Sequence, residues 1–315
     1  MSKSDSKKKI RIGTRATPLA IKQAEIVAKQ LVAHNLIGGK DIEIIAMKSA
    51  GDLVTSSIGP YDGKGLFTKE IDQALLDERV DIAAHSLKDV ESNIAEGISI
   101  FGTLEREDPR DALVTINKIS SIDDLKNGCL IGTSAPRREA IIRSIRKDIK
   151  IIEYRGNFET RVKKLENCEV DATFLAMAGI KRLTYAGCNI LPLPTNIMIP
   201  AAGQGIICLL ARKSDNFIID IINKISHQPS YLLSKVERVI IEKFEGSCYQ
   251  PIAVFAQFID TSNIEISTFI SDKSGAKKME IKEICQTPNA YQVAGEMGEK
   301  LLEYYNKFLI DQTIS

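Results

Sequence analysis

The sequence predicts an α/β fold in three blocks, and three observations point to it. From Lys9 to Met47 a short β-prone segment, a helical segment and a second strand follow in order, the βαβ unit of a mostly parallel sheet. The same order returns after Leu130, where a strand ends near Thr133 and Pro136 opens a helix. From Ile252 to Cys285 three alternating segments succeed one another with no helix between them, the pattern of an antiparallel sheet.

In the first block, Lys9–Ile12 starts a strand that Gly13-Thr14-Arg15-Ala16 turns. Thr17 then caps a helix and Pro18 sits at its first position, where a missing N–H costs nothing. Ile21, Ala24, Val27 and Leu31 recur at helical spacing to about His34. Asp41–Met47 is the next strand, and Thr68 caps a helix running to Asp77. Between them Gly59–Phe67 is a loop whose Gly63-Lys64-Gly65 lacks phosphate-loop spacing.

The stretch Asp81–Val90 carries the strongest functional signal. Val80–Ala84 is an apolar run of strand length that ends in Ser86-Leu87-Lys88-Asp89. In an open α/β sheet ligands sit beyond the carboxyl ends of strands, so Ser86, Lys88 and Asp89 are expected at a site. The plain alternative is a surface turn closing a core strand. His85 points away from Ser86 and reads as a satisfied core histidine.

Phe101–Val114 contains a charged crossover, Glu105 to Asp111, that reads as a domain boundary or hinge. In the second block Arg137 and Arg138 lie in the first helical turn. Cations there oppose the helix dipole and cost roughly 0.3–1 kcal/mol each, so a bound or buried anion is expected beside them. Ile149–Tyr154 is a strand ending in Arg155, Arg161 follows about two turns into a helix, and Asp171–Ala176 leads to Gly179 and Arg182. Pro192–Pro200 is a connector. Ala201–Gly205, with Gln204, then precedes a strand, Ile206–Ala211, which returns the chain to the first block. Val236–Phe244 is a helix, the segment 245–251 a loop, and Ala290–Leu309 a closing helix.

Composition excludes several functions. The 315 residues carry a net charge of +1, too little to draw in nucleic acid or an anionic membrane, so any anion site is local. No apolar run approaches ~18 residues, so no transmembrane helix is expected. Met1–Lys9 is polar and basic with no apolar stretch of signal-peptide type after it, which makes a cytoplasmic location the expectation. The six cysteines are dispersed and the three histidines do not join them, so neither a metal site nor structural disulfides are expected. Most of the cysteines should be small core residues.

What remains is a set of arginines. Arg15, Arg137, Arg138, Arg155, Arg161 and Arg182 recur at strand ends and early helical turns. Guanidinium forks bind carboxylates bidentately, so a ligand with several carboxylates is expected.

Taken together, Ile10–Gln23, Gly63–Leu75, Asp81–Val90, Ile131–Arg138, Arg155–Leu165, Asp171–Leu183, Pro200–Gly205 and Glu245–Pro251 resemble the porphobilinogen deaminase (hydroxymethylbilane synthase) family, in family order over nearly the whole chain. The resemblance implies three α/β domains: two periplasmic-binding-protein-like lobes with mixed sheets around a cleft, and a smaller α+β C-terminal domain with an antiparallel sheet. The expected boundaries are 1–104 with 199–222, then 105–198, then 223–315. It implies a transferase that joins four porphobilinogen molecules head to tail, losing ammonia at each step, on a covalent dipyrromethane cofactor, and releases the linear product by hydrolysis. By motif, Asp89 resembles the catalytic aspartate and Cys248 the cysteine bearing the cofactor through a thioether. The six arginines resemble the carboxylate-binding set. Ser86, Lys88, Thr133, Ser134 and Gln204 resemble its neighbouring contacts, and Gln23, Lys64 and Phe67 the helix and loop beside the site. Lys88 and the arginines are expected to favour an ionised Asp89. The resemblance also implies a small-molecule substrate, porphobilinogen; with the low net charge, no nucleic-acid or membrane partner is expected, and a monomer is the expectation. Asp62, Ala135-Pro136 and Ser247 depart from the family pattern, which touches loop geometry and removes no reacting group. The competing reading is a non-catalytic bilobal binder of an organic anion, which explains the arginines but not Cys248 in its small-residue loop.

Overall fold

The computed structural model describes residues 9–49, 68–244 and 250–308, which form two compact units. One comprises residues up to Val90 with Ile94–Glu105 and Ile206–Tyr231; the other comprises Glu91–Asn93, Arg106–Gly205 and the chain from Leu232.

The first unit is built on a five-stranded sheet: β1 (Ile10–Arg15), β2 (Ile42–Met47), β3 (Ile82–Ser86), β4 (Ile98–Thr103) and β10 (Ile207–Arg212), in the order β2-β1-β3-β10-β4. β1 runs parallel to β2 and β3, while β10 is antiparallel to β3 and β4, so the sheet is mixed. β3 is buried on both faces, which is why it reads as an apolar run rather than an alternation. On one face Ile12, Ile82 and Ala84 pack with Val27 and Leu31 of the Pro18–Ala33 helix and Ile222 of the Asn216–Ile225 helix. On the other, Ala83, Leu87 and Leu210 pack with Ile71 and Leu75 of the Lys69–Leu76 helix. Each such side chain contributes roughly 1.5–3 kcal/mol by leaving water. Asp81, just ahead of β3, ties three strands together. It accepts from the Arg11 backbone at 2.9 Å and from its guanidinium at 2.8 and 3.0 Å, and it meets Arg212 of β10 at 3.5 Å.

The second unit repeats the layout. β5 (Asp111–Thr115), β6 (Leu130–Gly132), β7 (Lys150–Ile152), β8 (Ala172–Ala176) and β9 (Asn189–Pro192) lie in the order β7-β6-β8-β5-β9. β6 is parallel to β7 and β8, and β5 is antiparallel to β8 and β9. Thus β5 holds the place in this sheet that β10 holds in the first. The unit also contains an antiparallel sheet of β11 (Ile252–Phe258), β12 (Asn263–Ser271) and β13 (Lys278–Gln286). The Gln228–Glu242 and Ala290–Phe308 helices cover one of its faces through Val236, Ile240, Ala294 and Leu301. Phe255 and Phe269 pack with Leu113, Ile131 and Ile142 in another core of the same unit.

Several local expectations are corrected. β1 does not turn at Gly13 but continues to Arg15, because parallel pairing with β2 extends to Arg15–Met47. Thr17 caps its helix as expected, accepting from Ala20 N at 3.3 Å, whereas Thr68 makes no capping bond through its side chain among the described residues. Arg161 lies in the first turn of the Phe158–Glu166 helix, not the second, since Asn157 caps it. Cys129 and Cys208 are buried, but Cys168 is exposed and Cys188 and Cys285 are half-buried.

Candidate active site and carboxylate-binding residues

In the first unit the carboxyl ends of β1 and β3 open into a small recess. Arg15, Gln23, Ser86 and Asp89 line it, with Thr14, Thr17, Thr68 and His85. The β1–β3 register places Ala83 beside Gly13, so Arg15 and the residues after Ala84 reach the same edge. Thr14 Oγ1 donates to Ala84 O at 3.2 Å and Gln23 Nε2 donates to Ser86 Oγ at 2.7 Å, which locks the first helix to the strand end. Leu87–Asp89 then forms one 3-10 turn, which carries Asp89 off the strand axis. Among the described residues the Asp89 carboxylate has no hydrogen-bond or ion-pair partner, and the residue is half-buried. Lys88 is also half-buried.

His85 departs from expectation. It is buried, yet among the described residues its Nε2 makes no hydrogen bond. Burial, helped by the charge of Arg15, pulls its imidazole down to about 4, so the ring is neutral near pH 7.

In the second unit Arg137 and Arg138 are buried with Asp111, which has no exposed surface. Arg137 Nη1 lies 2.7 Å from Asp111 Oδ2 and donates to Ile199 O at 2.6 Å. Arg138 donates to Asp111 Oδ1 through Nε at 3.1 Å and Nη2 at 2.7 Å, and to Phe174 O through Nη1 at 3.0 Å. Gln204 Nε2 reaches the same Oδ1 at 3.1 Å and Pro109 O at 2.7 Å. The anion that an arginine pair calls for at this helix N-terminus is thus, in the first instance, the protein's own. Two guanidiniums share one carboxylate, leaving an excess positive charge in the group. Burial pulls the Arg137 guanidinium below its ordinary value, Asp111 works against that, and Arg138 adds to it. Asp111 is the functional candidate that the sequence reading missed. Its signal was an acidic residue opening an apolar strand, some 26 positions before two adjacent arginines.

The hydroxyls of Thr133 and Ser134 accept from the backbone: Thr133 Oγ1 from Ala135 N at 3.2 Å and Ser134 Oγ from Tyr154 N at 2.9 Å. Arg182 donates to Gly205 O at 2.6 Å, beside Gln204. Gly205 has φ +88°, and a Cβ there would stand 2.3 Å from Glu107 O, so only glycine brings this turn so close. Burial pulls Arg182 down to about 10, opposed by Glu107. Arg155 pairs with Glu153 two residues before it, and Arg161, in the first turn of its helix, donates through Nε to Gly156 O at 3.0 Å. Lys64, Phe67 and Cys248, with Asp62 and Ser247, lie outside the described residues.

Two family models match the chain: "Porphobilinogen deaminase, dipyromethane cofactor binding domain" over residues 10–220 and "Porphobilinogen deaminase, C-terminal domain" over residues 231–305. The chain belongs to the porphobilinogen deaminase family. A porphobilinogen deaminase of Rickettsia canadensis (strain McKiel) is 41% identical over 272 residues, 85% of this chain and 89% of the relative. That of Rickettsia prowazekii (strain Madrid E) is 41% identical over 267 residues, 84% and 88% of the two chains. With the family comes the activity, a transferase of tetrapyrrole synthesis acting on porphobilinogen, and the non-catalytic binder is not favoured. Among solved structures, the VFT2 domain of Bordetella pertussis BvgS is 17% identical with a TM-score of 0.43, covering 75% of this chain and 92% of that one. An arginine transport system periplasmic binding protein of Legionella pneumophila is 18% identical with a TM-score of 0.39, covering 69% and 91%. Among the described residues no helix is long and apolar enough to cross a membrane, and no cluster of three or more His, Cys, Asp or Glu is arranged to hold a metal ion.

Proposed function

We propose that Asp89 is the catalytic carboxylate of this transferase and that Cys248 carries its dipyrromethane through a thioether. The observation behind the first assignment is the Asp89 carboxylate at the end of β3, partnerless among the described residues and sharing a recess with Arg15. The chemistry of the donor set fits a polycarboxylate group: arginines predominate, and the group around Asp111 holds one more cation than anion. When bound, the dipyrromethane supplies the terminal pyrrole carbon to which substrate units are added.

The residues of the chain do the rest. Arginine forks, those of Arg15, Arg137 and Arg182 among them, bind and orient substrate acetate and propionate arms. As ammonia leaves porphobilinogen, the substrate ring becomes cationic, and Asp89 offsets that charge, a stabilisation that is often the largest catalytic contribution. The same group can accept the proton lost from the new ring carbon and, so protonated, hand it to the next departing amine, which returns it to the carboxylate form. Gln23 and Ser86, bonded to each other, fix the strand end from which Asp89 projects. Lys64, Phe67, Lys88, Thr133, Ser134, Arg155 and Arg161 complete the proposed contacts.

We further propose a cytoplasmic monomer that works on a small molecule, with neither nucleic acid nor membrane as partner. The near-zero net charge supports the absence of nucleic-acid and membrane partners, since it supplies no long-range field. The domain reading remains 1–104 with 199–222, 105–198 and 223–315. The direct test is incubation of purified, cofactor-loaded protein with porphobilinogen, following ammonia and linear tetrapyrrole together. Binding without release of either product would overturn the proposal.

A further inference from the structure

We propose that Asp111 is a positioning residue for this reaction: it clamps Arg138 and Gln204 as struts and so aims the Nε–Nη2 edge of Arg137 at one ligand carboxylate. The inference rests on the reading of Arg137 as a carboxylate-binding residue and assigns its neighbours a different task.

A count of donors separates the two arginines. All three nitrogens of Arg138 already donate within the protein, two to Asp111 and one to Phe174 O. Arg137 spends only Nη1, on Ile199 O and Asp111. Among the described residues its Nε and Nη2 make no hydrogen bond, and those two N–H groups form the fork that grips a carboxylate in parallel. Gln204 is occupied in the same way as Arg138, with Nε2 on Asp111 and Pro109 O. The binding set expected from the sequence therefore divides into one contact residue and two supports, with Asp111 as their common anchor.

Charge gives the same division. Two adjacent guanidiniums at a helix N-terminus repel each other and the helix dipole. Asp111 cancels one of the two charges, and a single ligand carboxylate cancels the other. A fully neutral anchor would leave two cations to bury. Asp111 thus sets both the direction of Arg137 and the number of carboxylates the group accepts.

The experiment is a double-mutant cycle between Asp111→Asn and Arg137→Lys in the full-length protein. Three quantities are read for each variant: the intact mass, which reports cofactor loading; KM and kcat for porphobilinogen on the loaded fraction; and cooperative melting. If Asp111 acts through Arg137, Asp111→Asn loses most of the cofactor mass increment or raises KM about tenfold, with kcat changed less than about threefold. Its effect then shrinks in the Arg137→Lys background, because a shared task is lost only once. Asp111→Glu recovers part of the loading. Should Asp111→Asn fail to fold, Asp111→Glu takes its place in the cycle with the same outcomes. Wild-type loading and KM, or strictly additive effects, would overturn the positioning role. If Arg137→Lys and Arg137→Leu are themselves indistinguishable from wild type, the reading of Arg137 beneath this proposal fails instead.

Discussion

Arg106 donates through Nη2 to both carboxylate oxygens of Glu237 at 2.8 Å, in a part of the second unit where Glu237 has no exposed surface. Arg106 also donates to Gln204 O and Ala256 O, each at 3.0 Å. Glu237 also accepts from Gly203 N at 2.6 Å and Ala256 N at 2.8 Å. One ion pair therefore joins the charged crossover, the Gln204 turn, a helix and β11. Removing one partner of such a pair strands the other, so Arg106→Met should cost roughly 3–5 kcal/mol. Burial already pushes the Glu237 carboxyl up, against Arg106 and the two N–H groups. In Arg106→Met it protonates more readily still, and the deficit should shrink as pH falls. Urea unfolding at two pH values checks both statements; a loss below about 1 kcal/mol would mean that the pair is dispensable.

A second prediction concerns acid. His85 titrates near 4 when folded and near 6.5 when unfolded, so between these values the unfolded chain holds the extra proton. Unfolding is then favoured as pH drops: the penalty is absent above about 6.5, grows below it and levels off near 4. The His85 contribution to the stability change from pH 7 to pH 5 is about 2 kcal/mol. His85→Gln, which does not titrate, should show a correspondingly smaller loss over that interval in guanidinium unfolding. Equal losses in the two proteins would show that the imidazole is not held neutral by burial.

Cofactor attachment is tested by mass. Denatured protein should exceed its sequence mass by two porphobilinogen units less two ammonias, and Cys248→Ser should abolish the increment. Cys129, Cys168, Cys188, Cys208 and Cys285 should each be replaceable without losing it. An active preparation with the bare sequence mass would exclude the thioether.

Asp89→Asn should keep fold and cofactor but nearly abolish turnover, because asparagine matches aspartate in size yet cannot offset a cationic ring. The loss should fall on kcat rather than on substrate capture. Asp89→Glu retains the charge, displaced by one methylene, and some activity should survive. Single-turnover rates on protein of known cofactor content decide the matter; a near-normal rate for Asp89→Asn would remove it from the chemistry.

How much of this was legible in the sequence depends on the range of the interaction involved. The three antiparallel strands were legible between Ile252 and Cys285, within a residue of their observed outer limits, because period-two alternation and the turns between them are local signals. Thr17-Pro18 and the β3 strand end were legible for the same reason. The role of Asp111 was not, because Arg137, Arg138 and Gln204 lie 26, 27 and 93 positions away in sequence and meet it only in the folded chain. The arginine pair was read as facing a ligand because position alone does not reveal which guanidinium is already satisfied. His85 was likewise recognised as a core residue, but its missing partner depends on the packing of elements distant in sequence.

The strand order of the first sheet has a consequence for how the chain comes off the ribosome. β10 lies between β3 and β4, yet it is synthesised more than a hundred residues after them. Until Ile207–Arg212 has emerged, β4 has no neighbour in its sheet, and Asp81 lacks its contact with Arg212. The intervening segment contains the whole of the second five-stranded sheet, which can complete its pairing first. The later-made sheet is then the earlier one to close. A nascent chain halted once residue 205, but not β10, has cleared the exit tunnel should protect β6 and β8 from proteolysis while β4 remains open to cleavage.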